Sequence, residues 1–170
     1  LVHMRTDFLP ISLDQIVNHA AKWHYMFGGR LNIPLVIRSI IGRGWGSAAQ
    51  HSQSLQAMFM NIPGLRVIMP ATPYDAKGLL IAAVKDGNPV IMIEHRWLYD
   101  HTGHVPDEMY EVPLGKAAIR KTGKDATIVA VSHMVHEAVQ AAQELQEEGI
   151  DAEVIDLRSL KPLDSETIVQ

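Results

Sequence analysis

Cysteine is absent from this sequence. Disulfides, a thiolate nucleophile and thiolate metal ligands are therefore excluded. The absence agrees with a reducing compartment, the cytoplasm or, in a eukaryote, the mitochondrial matrix. Positive charge is sparse and scattered. There are 15 Lys and Arg against 19 Asp and Glu, a formal net charge of −4, and no basic stripe to take nucleic acid. Long apolar runs are missing too. The longest, Leu79-Leu80-Ile81-Ala82-Ala83-Val84, falls far short of the roughly 20 residues that a membrane helix needs. No secretory leader pattern opens the chain. What is present is 170 residues with 47% hydrophobic content, enough for a sizeable core in one domain or parts of two. The ends, Leu1-Val2-His3-Met4 and Leu163 to Gln170, read as an interrupted strand and a helix just beginning, so the sequence is expected to be a piece of a longer one.

Along the chain, apolar runs alternate with helical patterns. Ser12 and Gln15 have capping-box spacing. Leu13, Ile16, Val17, Ala20, Ala21 and Phe27 form a helical stripe behind them, and Gly28-Gly29 stop it. A strand over Leu35 to Ile37 is followed by a helix burying Leu55, Met58 and Phe59, and by a strand over Leu65 to Met69. Thr72-Pro73 have the form of an N-cap and first helical residue, with Asp75 suited to the helix dipole. That helix is predicted to reach Lys85, turn through Asp86-Gly87-Asn88-Pro89, and lead into a strand over Val90 to Ile93. The strands are apolar throughout, which predicts an α/β fold with a parallel sheet covered by helices. Glu94 to Pro113 is polar and reads as a loop and linker. Beyond it, strands near 116–120, 126–131 and 152–157 and a helix over 134–148, stopped by Gly149, predict a second α/β unit. The predicted division is 1–112 and 113–170.

The chemistry concentrates in Gly42-Arg43-Gly44-Trp45-Gly46, a glycine loop that follows a strand and delivers His51 to the next helix. The carboxyl end of a parallel strand is where ligands bind, and histidine moves protons near neutral pH. A helix-start histidine bonded locally is the competing reading. A dinucleotide cradle does not fit. The spacing lacks the final x-x-Gly, the next strand ends Ile68-Met69-Pro70 without an acid, and there is no P-loop lysine. His101 with His104 and His133 with His136 are spaced i, i+3. They read as solvated loop histidines in preference to a metal site. The carbonyls that close the helix before Gly87 carry partial negative charge and can hold a monovalent cation.

Several stretches together resemble one family. They are Arg38-Ser39 with the glycine loop, Gln50-His51-Ser52-Gln53-Ser54, Pro63-Gly64-Leu65-Arg66-Val67, Pro73-Tyr74-Asp75-Ala76-Lys77-Gly78-Leu79-Leu80, and Asn88-Pro89-Val90 ending at Glu94. Val112 to Ala117 and Val154 to Asp164 complete the pattern. The sequence thereby resembles the β subunit of thiamine-diphosphate-dependent 2-oxo acid dehydrogenase E1, of the pyruvate, branched-chain or acetoin type. The resemblance implies a late part of a transketolase-like pyrimidine-binding domain over 1–112, then the beginning of a transketolase C-terminal domain. It implies His51 as the active-site histidine, and potassium on the backbone carbonyls of Leu35, Ala83, Val84, Asp86 and Asn88. The catalytic glutamate and the aromatic contacts to the cofactor are expected upstream of residue 1, and thiamine diphosphate with Mg²⁺ is expected to be shared with an E1 α subunit. An α2β2 heterotetramer and a lipoyl domain of E2 are the implied partners, and the segment alone is expected to be inactive. The same fold leaves open a split transketolase, a deoxyxylulose-phosphate-synthase-like enzyme or a non-catalytic assembly subunit.

Overall fold

The computed structural model describes residues 1–42 and 48–170. Residues 43–47, which hold most of the glycine loop, lie outside the described residues. The main sheet has five strands in the order β1-β2-β4-β3-β8: β1 Val2–His3, β2 Val36–Ile41, β3 Arg66–Ile68, β4 Val90–His95 and β8 Ser159–Lys161. The first four are parallel, as the apolar runs predict. β4, in the middle, is buried from Val90 to Glu94, whereas β2 alternates between buried and half-buried residues beside the short edge strand β1. Ile37, Ile41, Phe59, Leu65, Val67, Met69, Ile91 and Ile93 form the core on one face. Ile68, Leu79, Ala83, Val90, Met92 and Val112 form it on the other.

Helix α3, Pro73–Lys85, starts as its sequence requires. The Thr72 hydroxyl accepts from the Asp75 amide at 3.1 Å and Pro73 occupies the first turn. The amino-terminal helical region departs from its pattern. In place of one helix from Ser12 there is a 3₁₀ helix Thr6–Ser12, a π-helix Gln15–Ala20 and a single α turn, α1 Trp23–Met26. Leu9, fully buried, anchors the earlier start. Ser12 is thus the last residue of a turn and not a cap, and its hydroxyl donates back to the Leu9 carbonyl at 3.4 Å. Gly28 and Gly29 do end the run, with φ of 63° and 76°.

The second unit is a three-stranded sheet, β5-β7-β6, with β5 Ala118–Lys121, β6 Ala126–Ala130 and β7 Ala152–Asp156. Helix α4, Met134–Glu147, joins parallel strands β6 and β7 and buries Val135, Ala138 and Ala142 on them. β5 runs antiparallel to β7. Arg158, at φ 56°, turns the chain out of this sheet, so that β8 crosses over and pairs antiparallel with β3. The two units therefore share a sheet edge, which the apolar pattern did not foretell. A short helix, α5 Ser165–Val169, follows.

Candidate active site

The end of β2 is gripped by the residues that follow β1. Thr6 donates to the Ile40 carbonyl at 3.1 Å and lies 3.2 Å from the Ser39 hydroxyl. Arg5, almost fully buried, donates to the Gly42 carbonyl. Gly42 has φ 79°, and a Cβ added there would overlap the His95 ring. Glycine is thus demanded twice, by conformation and by contact.

His51 ends a 3₁₀ turn, Ala49–His51, entered through Ala48 at φ 55°. That φ is strained for a residue with a side chain. His51 is half-buried, and its imidazole has no hydrogen-bond partner among the described residues. The Phe8 ring lies against it, centroids 5.2 Å apart at 59°. On its other side Phe8 lies 6.3 Å from the His3 ring. The Gln53 amide donates to Asp7 at 3.1 Å and ties the segment after His51 to the same 3₁₀ helix. The helix start predicted at His51 lies further on, since α2 spans Gln56–Met60. His51 therefore sits on a turn at the carboxyl edge of the sheet, against the Phe8 ring and, among the described residues, with no hydrogen bond to its imidazole, an arrangement able to exchange a proton with a bound molecule.

Further along the same strand ends, Arg38 grips Glu94 through two bonds, 2.8 and 3.1 Å, and the Tyr99 hydroxyl donates to the same carboxylate at 2.7 Å. Burial and this carboxylate push the Tyr99 phenol up. These residues, with Thr72 and His101, line a cavity of about 230 Å³.

The loop histidines are not simply solvated. His95, His101, His133 and His136 come together, with Trp97 against two of them. His95 and His133 stack at 4.9 Å and 15°, and His101 and His136 lie 4.4 Å apart. Burial, then His133, then Arg5 hold His95 below the ordinary histidine range. Burial does the same to His133, with His136 and His101 adding and Glu137 opposing. His104 is exposed and takes no part. Among the described residues no set of three or more His, Asp or Glu side chains is arranged to hold a metal ion.

At the other end of α3, Asp86 accepts from the Asn88 side chain and pairs with Arg66 at 2.7 Å, and Gly87 turns at φ 79°. The Leu35 carbonyl accepts from the Val90 amide at 2.8 Å, which brings Leu35 beside this turn. Ala83 and Val84 lie in the last turn of α3.

Sequence reasoning missed Phe8, Arg5 and His95 as parts of one site. A usable signal existed for His95. In a parallel pair β2 and β4 end together, and the register sets Ile41 opposite His95, one residue before Gly42. Phe8 gave no signal, because its approach to His51 depends on the 3₁₀ start that Leu9 enforces.

The chain matches the description "Transketolase, pyrimidine binding domain" over residues 2–102 and "Transketolase, C-terminal domain" over residues 115–170. It is 52% identical over 98% of its length to the acetoin:2,6-dichlorophenolindophenol oxidoreductase subunit beta of Cupriavidus necator, 49% of which is covered. It is 46% identical to the pyruvate dehydrogenase E1 component subunit beta of Rhizobium meliloti, covering 98% of this chain and 36% of that one. Against the 2-oxoisovalerate dehydrogenase subunit beta of Bacillus subtilis the identity is 45%, covering 96% and 50%. The chain thus spans about half the length of most of these relatives. A solved structure described as a split gene transketolase, inactive beta4 tetramer, superposes with a TM-score of 0.79 at 28% identity, over 98% of this chain and 51% of that one. A Pichia stipitis transketolase shares the fold, with a TM-score of 0.70 at 18% identity over 93% and 22%.

Proposed function

We propose, for a chain that belongs to the transketolase pyrimidine-binding domain family and continues into a transketolase C-terminal domain, that it is part of an E1 β subunit. The activity proposed is oxidative decarboxylation of a 2-oxo acid by a thiamine-diphosphate-dependent dehydrogenase, with acyl transfer to the lipoyl domain of E2. The observation that carries this reading is the His51 imidazole, without a hydrogen bond among the described residues and held against Phe8 at the carboxyl edge of a parallel sheet.

Among the described residues it is His51 that would face the cofactor, and Phe8, which already lies between the His3 and His51 rings, backs it. The diphosphate and its Mg²⁺ are assigned to an E1 α subunit in an α2β2 assembly, as the family resemblance implies. When bound, thiamine diphosphate supplies a nucleophilic carbon and an electron sink for the loss of CO₂. His51 gives a proton to, or takes one from, the substrate oxygen and the lipoyl sulfur, while Phe8 and Asp7 keep its turn in place. K⁺ is assigned to the carbonyls of Leu35, Ala83, Val84, Asp86 and Asn88, where a helix end concentrates negative dipole. The unit boundary is placed between 112 and 113, and the cytoplasm, or the matrix in a eukaryote, is the proposed location. The segment by itself is proposed to be inactive.

A second reading, transfer of a ketol unit between sugar phosphates, is favoured by the 28% identity to the split gene transketolase. The two separate in one experiment. The full-length protein is assembled with its α partner and supplied with thiamine diphosphate, Mg²⁺ and 2,6-dichlorophenolindophenol. Dye reduction driven by pyruvate, 2-oxoisovalerate or acetoin supports the dehydrogenase. Ketol transfer from xylulose 5-phosphate, without dye reduction, assigns the chain to the second reading.

A further inference from the structure

We infer that the amino-terminal end of α4 docks on the first unit through a seam of four histidines, and that this seam is a latch between the units, closed while its rings are uncharged and released by acid. The latch is independent of the reaction and of the role of His51. The first unit supplies His95, the last residue of β4, and His101, which closes the turn Arg96–Asp100. The second supplies His133 and His136, at the start of α4. Each meets a partner from the other unit, His95 stacked on His133 and His101 tilted at 57° against His136. His101 and His136 lie 6.3 and 6.4 Å from the His133 ring, so the four form one cluster. Trp97, from the first unit, stands edge-on to His95 and His133 at 5.5 and 5.0 Å. His136 Nε2 reaches the Ala71 carbonyl of the first unit at 2.8 Å. Ala71 and His101 also line the cavity shared with Arg38, Glu94 and Tyr99, so the seam stands at its edge.

The contacts require uncharged rings at two of the four positions. His95 Nδ1 accepts from the Trp97 amide at 3.3 Å, so that nitrogen is bare and a proton on it breaks the bond. His133 Nε2 faces the Glu137 carboxylate at 3.3 Å, an acceptor, and so carries the hydrogen. His133 Nδ1 is then bare, buried and without a hydrogen-bond partner among the described residues. A proton there would be a desolvated donor. Among the described residues, the charged and titratable groups acting on this pair are Arg5, Glu137, His101, His136 and the two rings on each other. Of these only Glu137 favours a cation, and it is half-exposed to water. The other ties between the units, Asp75 to Arg120 and Arg158 and the pairing of β8 with β3, involve no histidine. Acid therefore addresses the α4 end of the junction and leaves those ties in place.

The direction follows from linkage. Burial, as the largest cause, holds both His95 and His133 below the ordinary value of about 6.5. The docked seam thus binds fewer protons than one whose rings are released to water. Docking is at full strength above that value and weakens as pH falls below it, by at most about tenfold per pH unit for each ring that takes a proton.

The test is hydrogen exchange by mass spectrometry on the full-length assembled protein from pH 8 to pH 5, with rates corrected for the intrinsic pH dependence of exchange. We expect peptides over 132–138 to lose at least about tenfold in protection below about pH 6.5, while peptides over 76–84 in α3 keep theirs. His133→Phe and His133→Gln take no proton at this position. Each is expected to stay within about threefold of the unaltered protein at pH 8 and to show about half of the acid loss on a logarithmic scale. Protection over 132–138 that changes less than about twofold down to pH 5 would overturn the inference. So would an acid loss of equal size in both variants, or one shared by the α3 peptides. Should neither variant fold, Trp97 decides in the unaltered protein labelled with 5-fluorotryptophan, its resonance assigned by Trp97→Phe. A shift below about pH 6.5 in step with the loss of protection supports the latch, and a resonance that does not titrate overturns it.

Discussion

Gly42 carries two constraints that one added methyl group would violate together. Its φ of 79° disfavours any side chain, and the His95 ring occupies the space a Cβ would need. Gly42→Ala should cost about 1–3 kcal/mol through left-handed strain and overpacking, seen as a lower urea midpoint at unchanged m-value. Activity in the assembled enzyme should fall further than stability, because the substitution displaces the root of the loop that carries His51. The sequence made it legible that a glycine stood here for close approach. What approaches it was not legible, since His95 lies on another strand and only the β2–β4 register brings the two together. The same holds for Phe8 against His51. Both contacts join residues that share no periodic pattern.

Helix α3 and the amino-terminal helical run show what local signals can decide. Thr72 acts twice. Its hydroxyl accepts from the Asp75 amide and donates to the Asp75 carboxylate at 2.6 Å. Thr72→Ala should destabilise the protein by about 1 kcal/mol, and Thr72→Ser should restore most of it, by chemical denaturation. This start was legible because Thr, Pro and Asp act within one turn, with nothing nearby to compete. Ser12 and Gln15 had equally good spacing and the structure does not use it. Burial of Leu9 starts the turns at Thr6, and the cap is never formed. A tertiary contact worth a few kcal/mol outweighs a cap worth about one. Strand identities survived because apolar content determines them. β8 did not, because only pairing with β3 across the unit boundary makes Ser159–Lys161 a strand.

At the scale of the whole chain, a charged clamp joins the two units. Asp75, fully buried on α3, lies 2.8 Å from Arg158 and is also paired with Arg120, which in turn bonds Asp156. Asp75→Ala leaves two guanidinium groups without their shared partner. It should cost about 3–5 kcal/mol and loosen the second unit first, read as faster hydrogen exchange in α4 and β6. No sequence pattern announces such a clamp, because its four members come from α3, β5, β7 and the turn after β7. The division of labour proposed for the active site has its own consequence. The 170-residue segment, titrated calorimetrically with thiamine diphosphate and Mg²⁺, should show no tight binding, whereas the α-partnered full-length protein should.

The most direct measurement is the turnover of the assembled enzyme with His51 replaced by Ala and by Asn. The account predicts that kcat falls by about 10²–10⁴, the usual contribution of a proton-transferring side chain, while calorimetry shows thiamine diphosphate bound nearly as before. Turnover within a factor of two of the unaltered assembly would contradict it.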